Sequence, residues 1–135
     1  MEEELEHFEM VWDLLDRRGI EFRRIAPGPY GKSLSGLIRV QEPDRAVDRL
    51  LVASLIEARS CERFRLLSEH VAQSDPELSA FYGGLFESEA RHHTTYVKLA
   101  EDFAPRDVVR DRLAQLSKDE AAIIAEGSPL PRMHS

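Results

Sequence analysis

From Leu78 onward, alternating steps of four and three residues link Leu78, Tyr82, Leu85, Glu89, His92, Tyr96, Leu99 and Phe103. That spacing lays all eight on one face of a helix, so this part of the chain must pack as one long amphipathic helix against others. Six of the eight are core material, while Glu89 and His92 interrupt the stripe at its middle. A second stretch repeats the interruption, with Leu50, Ser54, Glu57, Cys61 and Phe64 sharing a face around Glu57. A third does so near the start, with Glu4, His7, Val11 and Leu14. A carboxylate buried without a partner costs several kcal/mol, so these groups require compensation in the folded state.

The remaining pattern predicts an all-α architecture, with helices over about 1–18, 44–73, 75–103 and 106–126 and a crossover loop over about 19–43. Gly19 stops the first helix, and Asp44 after Pro43 opens the second. Ser74 with Glu77 three residues later reads as a capping box, with Pro76 in the first turn. Pro105 separates the last two helices, and Gly127 ends the last. A crossover of this length, punctuated by Pro27, Gly28, Pro29, Gly31 and Gly36, is either functional or a structural connection across the bundle. No strand-like alternation, repeat or low-complexity tract is present, and the whole chain is expected to form a single domain.

The turn between the second and third helices centres near Gln73, with Glu57 sixteen residues before it and Glu89 sixteen after. In an antiparallel hairpin, equal distance from the turn means equal height, so Glu57 and Glu89 should face each other. Glu62 falls off the stripe and opposite Gly84. Glu4–His7 and Glu89–His92 are both Glu-x-x-His, and side chains three apart on a helix are close enough to share one metal. Two such pairs with single glutamates from other helices form the inward ligand set of ferritin-like di-iron bundles. Oxygen and nitrogen donors suit iron or manganese. The alternative is a buried ion-pair network among the same groups. His93 reads as a flanking or core residue, His70 as a turn residue and His134 as part of the closing segment. Cys61 reads as a cavity wall, Tyr82 and Tyr96 as packing, and Arg59, Arg63 and Arg65 as a solvated face.

Composition narrows the classes. Apolar residues make up 42% and charged residues 32%, which excludes disorder. No apolar run approaches the roughly 20 residues of a membrane span, and a lone cysteine points to a reducing, cytoplasmic setting. Net charge is −7, yet residues 17–45 carry seven basic side chains against three acidic ones. That +4 segment is the candidate RNA-docking surface, with Arg23, Arg24 and Lys32 as its probes.

Glu-Glu-Leu-Glu-His-Phe-Glu (3–9), Leu-Ile-Glu-Ala-Arg-Ser-Cys-Glu-Arg-Phe (55–64) and Ser-Glu-Ala-Arg-His-His (88–93) resemble the tRNA 2-methylthio-isopentenyl-adenosine hydroxylases. So do Arg-Gly-Ile-Glu-Phe-Arg-Arg (18–24), Phe-Tyr (81–82) and the closing Pro-Arg-Met-His-Ser (131–135). The resemblance implies a ferritin-like fold with a non-haem di-iron centre that uses dioxygen and two electrons to hydroxylate a prenylated adenosine beside the anticodon. It implies Glu4, His7, Glu57, Glu89 and His92 as iron ligands, tRNA as partner, and a separate reductase as electron donor. It also implies a further helix, upstream in the family and bearing one more iron-binding Glu, that these 135 residues do not contain. The bundle is on that reading incomplete at its start, and the chain is expected either to self-associate into a homo-oligomer or to bind fewer than two irons. Two other readings are a ferroxidase-type iron protein and an inactive remnant.

Overall fold

The computed structural model describes residues 2–90 and 92–134, with the side chains of residues 2, 3 and 93 left aside. Six helices follow in order: α1 (Glu2–Arg17), α2 (Tyr30–Ser35), α3 (Asp44–Val71), α4 (Pro76–Glu89), α5 (His93–Ala100) and α6 (Arg106–Glu126). No strand occurs among the described residues.

The α3–α4 hairpin sets the frame. Phe64 stacks on Tyr82 with ring centroids 6.1 Å apart, and each lies nine residues from Gln73. Lower down, the Ser68 hydroxyl donates to the Ser79 carbonyl and the Ser79 hydroxyl to the Ser68 carbonyl, both at 2.8 Å. This register brings Glu57 level with Glu89. The turn itself differs from the capping box expected at Ser74. Asp75 is the N-cap, its carboxylate accepting from the Leu78 amide at 3.0 Å, while Ser74 Oγ donates back to the Val71 carbonyl at 3.3 Å. An aspartate is as good a cap as a serine, and Arg18 holds this one in place with two hydrogen bonds of 2.6 and 2.8 Å.

Two further expectations are corrected. The helix expected over 75–103 is two helices, because the ladder tightens at the turn carrying Glu89 and His92. The His92 amide bonds the Glu89 carbonyl, and the Thr95 amide bonds the His92 carbonyl, three residues back instead of four. Side chains three apart eclipse in such a turn, which draws the His92 ring over Glu89. The crossover contains α2, whose Tyr30 and Leu34 are buried. Their i, i+4 spacing plugs the short helix into the apolar core with Val47, Leu51 and Val52 of α3, Ala100 of α5, and Val109 and Leu116 of α6. Flanking glycines and prolines mask that short period in the sequence.

α1 lies antiparallel to α4, with His7 beside Ser88 and Glu89 at one end and Arg18 beside Asp75 and Glu77 at the other. Its inner face presents His7, Phe8, Val11, Trp12, Leu14 and Leu15, while Glu6, Glu9, Asp13 and Asp16 face water.

Asp48 is fully buried, and both of its oxygens are held by Arg39 and Arg112 at 2.8–3.0 Å. Burial alone would push this carboxyl up, but Arg112 and Arg39 outweigh it and hold Asp48 well below the usual carboxylate range. Asp48→Asn should therefore cost about 3–5 kcal/mol by leaving two arginines under-neutralised, read as a lower urea midpoint at neutral pH. Because the folded-state pKa is depressed, that advantage of the wild type is present above about pH 4 and shrinks as the pH falls below it.

Candidate metal centre

Three helices bring five side chains together. Glu4 and His7 come from α1, Glu57 from the middle of α3, Glu89 from the last turn of α4, and His92 from the tightened turn that follows. His7 Nδ1 lies 3.0 Å from Glu89 Oε1, and His92 Nδ1 lies 3.4 Å from Glu89 Oε2. The other His7 nitrogen is 3.0 Å from Ser88 Oγ, which fixes the ring plane. Glu4, His7 and Glu89 form one potential ligand group and Glu57, Glu89 and His92 another, with donor atoms within 4.8 Å of one another in each. Glu89 belongs to both, the position of a bridging carboxylate.

The electrostatics show what the cluster lacks. Glu89 is only 6% exposed. Burial, the adjacent Glu89 carboxylate and the charge of Glu4 push the Glu57 pKa up to about 8. Glu89 moves the other way: although burial opposes it, the proton held by Glu57 and the two imidazoles stabilise its charged form. At neutral pH the two carboxyls thus hold one proton between them. Glu89 Oε2 is buried and makes no well-formed hydrogen bond, with His92 Nδ1 approaching it only to 3.4 Å. Such a pair requires a cation, and a metal ion serves as well as a proton. Three carboxylates and two imidazoles with no thiolate fit iron or manganese. Cys61 lies near enough to feel Glu89 and Glu57, and burial together with their charge raises its pKa. Tyr96 is raised likewise by burial and by the charges of Glu57, Glu4 and Glu89.

The cluster forms the floor of a cavity of about 740 Å³. Its walls are apolar, with Phe8, Trp12 and Phe22 on one side and Phe64, Phe81 and Tyr82 on the other. Phe22 comes from the crossover, and the next two residues, Arg23 and Arg24, are exposed, as is Lys32. None of these three cations forms an ion pair with a described residue, whereas Arg17, Arg18 and Arg39 of the same segment are paired to Glu77, Asp75 and Asp48.

Several other residues lie outside the cluster, Glu62 and His70 where the sequence placed them and Arg59 elsewhere. Glu62 lies on the outer face, ion-paired to Arg59. Arg59 is not part of a solvated face, because its guanidinium also grips buried Glu120 at 2.6 and 2.7 Å. Glu120 in turn accepts from the Tyr30 hydroxyl at 3.0 Å. This buried carboxylate was legible: it follows Val109, Leu113 and Leu116 on the inner stripe of α6, the same signal that picks out Glu57. His134 stacks on Tyr30, and His70 is exposed near the turn. The side chain of His93 lies outside the described residues.

The family described as MiaE, tRNA-(MS[2]IO[6]A)-hydroxylase, matches residues 1–135. A Pseudomonas putida protein named tRNA 2-(methylsulfanyl)-N(6)-isopentenyladenosine(37) hydroxylase is 41% identical over 133 residues, covering 98% of this chain and 63% of the relative. A Salmonella typhimurium protein of the same name is 35% identical over 135 residues, all of this chain and 48% of the relative. The chain thus spans about half to two-thirds of the length of these relatives. A solved structure titled "Protein 43 with aldehyde deformylating oxygenase activity from Synechococcus" superposes with a TM-score of 0.89 at 42% identity, covering 99% of this chain and 67% of that one. The fold is all-α and ferritin-like.

Iron content separates Glu57 from Glu62 on α3. Glu57→Ala should lose metal after reconstitution with ferrous iron, and Glu62→Ala should retain it. Loss in Glu62→Ala alone would overturn the assignment.

Proposed function

The chain belongs to the tRNA-(MS[2]IO[6]A)-hydroxylase family, and we propose that it carries the di-iron hydroxylase site for a prenylated adenosine of tRNA. The observation that carries this reading is the Glu89-centred cluster at the floor of an apolar cavity. Glu4, His7 and Glu89 would hold one iron, and Glu57, Glu89 and His92 the other. Iron bound there, given dioxygen and two electrons from an external reductase, would supply the oxidant for an allylic C–H bond of the prenyl group. The protein's own residues do the rest. Phe8, Trp12, Phe64 and Tyr82 give the isopentenyl group an apolar wall and keep water from the floor. Ser88 holds the His7 ring, and the tightened turn holds His92 over Glu89. Arg23 and Arg24, exposed and directly after the cavity residue Phe22, would meet phosphate, as would exposed Lys32 on α2.

The relatives' names favour a hydroxylase over a protein that only stores or oxidises iron. The Synechococcus neighbour supports a second reading, in which the same cavity takes an aldehyde that loses its formyl carbon. The two are separated by product. The iron-loaded chain with reductant, dioxygen and prenylated tRNA should yield a nucleoside heavier by one oxygen atom. No such product, with formate released from an aliphatic aldehyde instead, would favour the second reading.

The phosphate contacts are tested separately. Replacing Arg23, Arg24 and Lys32 together by Ala should weaken binding of the anticodon stem–loop and flatten its dependence on log salt by about 2–3. An unchanged slope would remove these residues from the interface.

A further inference from the structure

Residues 20–29 of the crossover have no regular secondary structure, yet one point of that stretch is firmly held from across the fold. Arg132 Nε and Nη2 donate to the Ala26 carbonyl at 2.7 and 2.5 Å, 106 residues away in sequence. The stem of Arg132 lies so close to Gly28 that a Cβ added there would stand 3.3 Å from Arg132 Cγ. Two residues on, the His134 ring stacks on Tyr30, with centroids 4.6 Å apart and planes 6° from parallel, and its Nε2 is 3.2 Å from Ser60 Oγ. Ser60 lines the large cavity, and Ile56 lines both that cavity and a smaller one of about 350 Å³ beneath the 128–134 segment. The segment therefore ties the crossover to the turn of α3 that carries Glu57.

We infer that Arg132 and His134 are positioning residues, a strap that holds the 26–30 stretch against α3 and so fixes the basic crossover beside the cavity for RNA. The RNA part of this inference rests on the function proposed above; the strap does not. The strap is built from hydrogen bonds and one stacked ring outside the main apolar core, which makes it a local, separately opening unit. The groups facing His134 are Tyr30 from α2, Ser60, Arg59 and Arg63 from α3, and Glu120 from α6. Burial and the two arginines disfavour the imidazolium and outweigh Glu120, which lowers the pKa of the docked ring. The strap is thus secured by a neutral imidazole. It holds above the free histidine pKa of about 6.5 and loosens as the pH falls below it.

Hydrogen exchange on the full chain tests this. Arg132→Ala and His134→Ala should each speed exchange of residues 24–34 by about tenfold or more while residues 47–56 of α3 keep their protection. Arg132→Lys, which keeps one donor for Ala26, should restore part of it. His134→Phe preserves the stack without the titration. It should match the wild type at neutral pH and lose the acid-induced opening, after correction for intrinsic exchange rates. Unchanged protection in both alanine variants would overturn the strap, as would acid opening that persists in His134→Phe. Anticodon stem–loop affinity measured on the same variants should fall as the 24–34 stretch opens. Faster exchange with stem–loop affinity unchanged would overturn the positioning role. A wild type that shows the exchange behaviour but binds no stem–loop would leave the strap standing and overturn the RNA reading.

Discussion

Glu57 and Glu89 stand at the same height on two antiparallel helices, and like charges placed there cannot both be ionised without a cation. The rest of the molecule can be understood around that constraint. α3 and α4 are locked into register by Phe64–Tyr82 and by the paired serines, so neither helix can slide to separate the two carboxyls. α1 brings an imidazole to one oxygen of Glu89, and the tightened turn after α4 brings a second imidazole to the other. α1, α3, α4 and the turn after α4 each contribute a nitrogen or an oxygen to this point, and among the described residues none contributes an arginine or a lysine.

That last distinction separates structural from functional charge in this fold. Among the described residues, two other carboxylates are as deeply buried as Glu89, namely Asp48 and Glu120, and both are neutralised by arginines of the protein itself. Asp48 has Arg39 and Arg112; Glu120 has Arg59 and the Tyr30 hydroxyl. They clip the two ends of the α2 region to α3 and α6, and their partners leave no room for a ligand. Glu57 and Glu89 have only each other and two imidazoles. A buried pair removed from water and left short of positive charge is unfavourable for stability alone. Glu89 Oε2 is the one carboxylate oxygen among the described residues that is buried without a hydrogen-bond partner, and a bound cation would satisfy it.

The helical phase in the sequence was enough to expose this cluster, because a stripe position is a statement about burial and a glutamate there is costly. Hairpin arithmetic added the height match, since the α3–α4 turn is short and the helices are regular on both sides of Gln73. What remained hidden depends on contacts between distant segments. α2 is too short, and too crowded by Gly and Pro, for its period to stand out. The break after Glu89 is set by backbone hydrogen bonds that no residue type announces. The Arg132–Ala26 and Asp48–Arg112 contacts span 106 and 64 residues and leave no local trace. Glu120 is the exception, because its stripe position was open to the same phase argument that found Glu57.

The manner in which α1 is held also follows from the site. Its polar ties to the rest of the fold lie near its two ends, at His7 with Ser88 and Glu89, and at Arg17 and Arg18 with Asp75 and Glu77. Between them lies the cavity, so the apolar inner face of the helix has its walls but little direct packing; Leu14 is buried, whereas Phe8 and Trp12 remain about half exposed. A cation bound by Glu4 and His7 together with Glu89 would cross-link α1 to α4 at the end opposite the arginine pairs. Metal binding of this kind adds its free energy to the folded state because the ligands converge only there. The wall of the cavity and the ligands at its floor would then be secured by the same ion, which would couple loading of the metal to closure of the pocket.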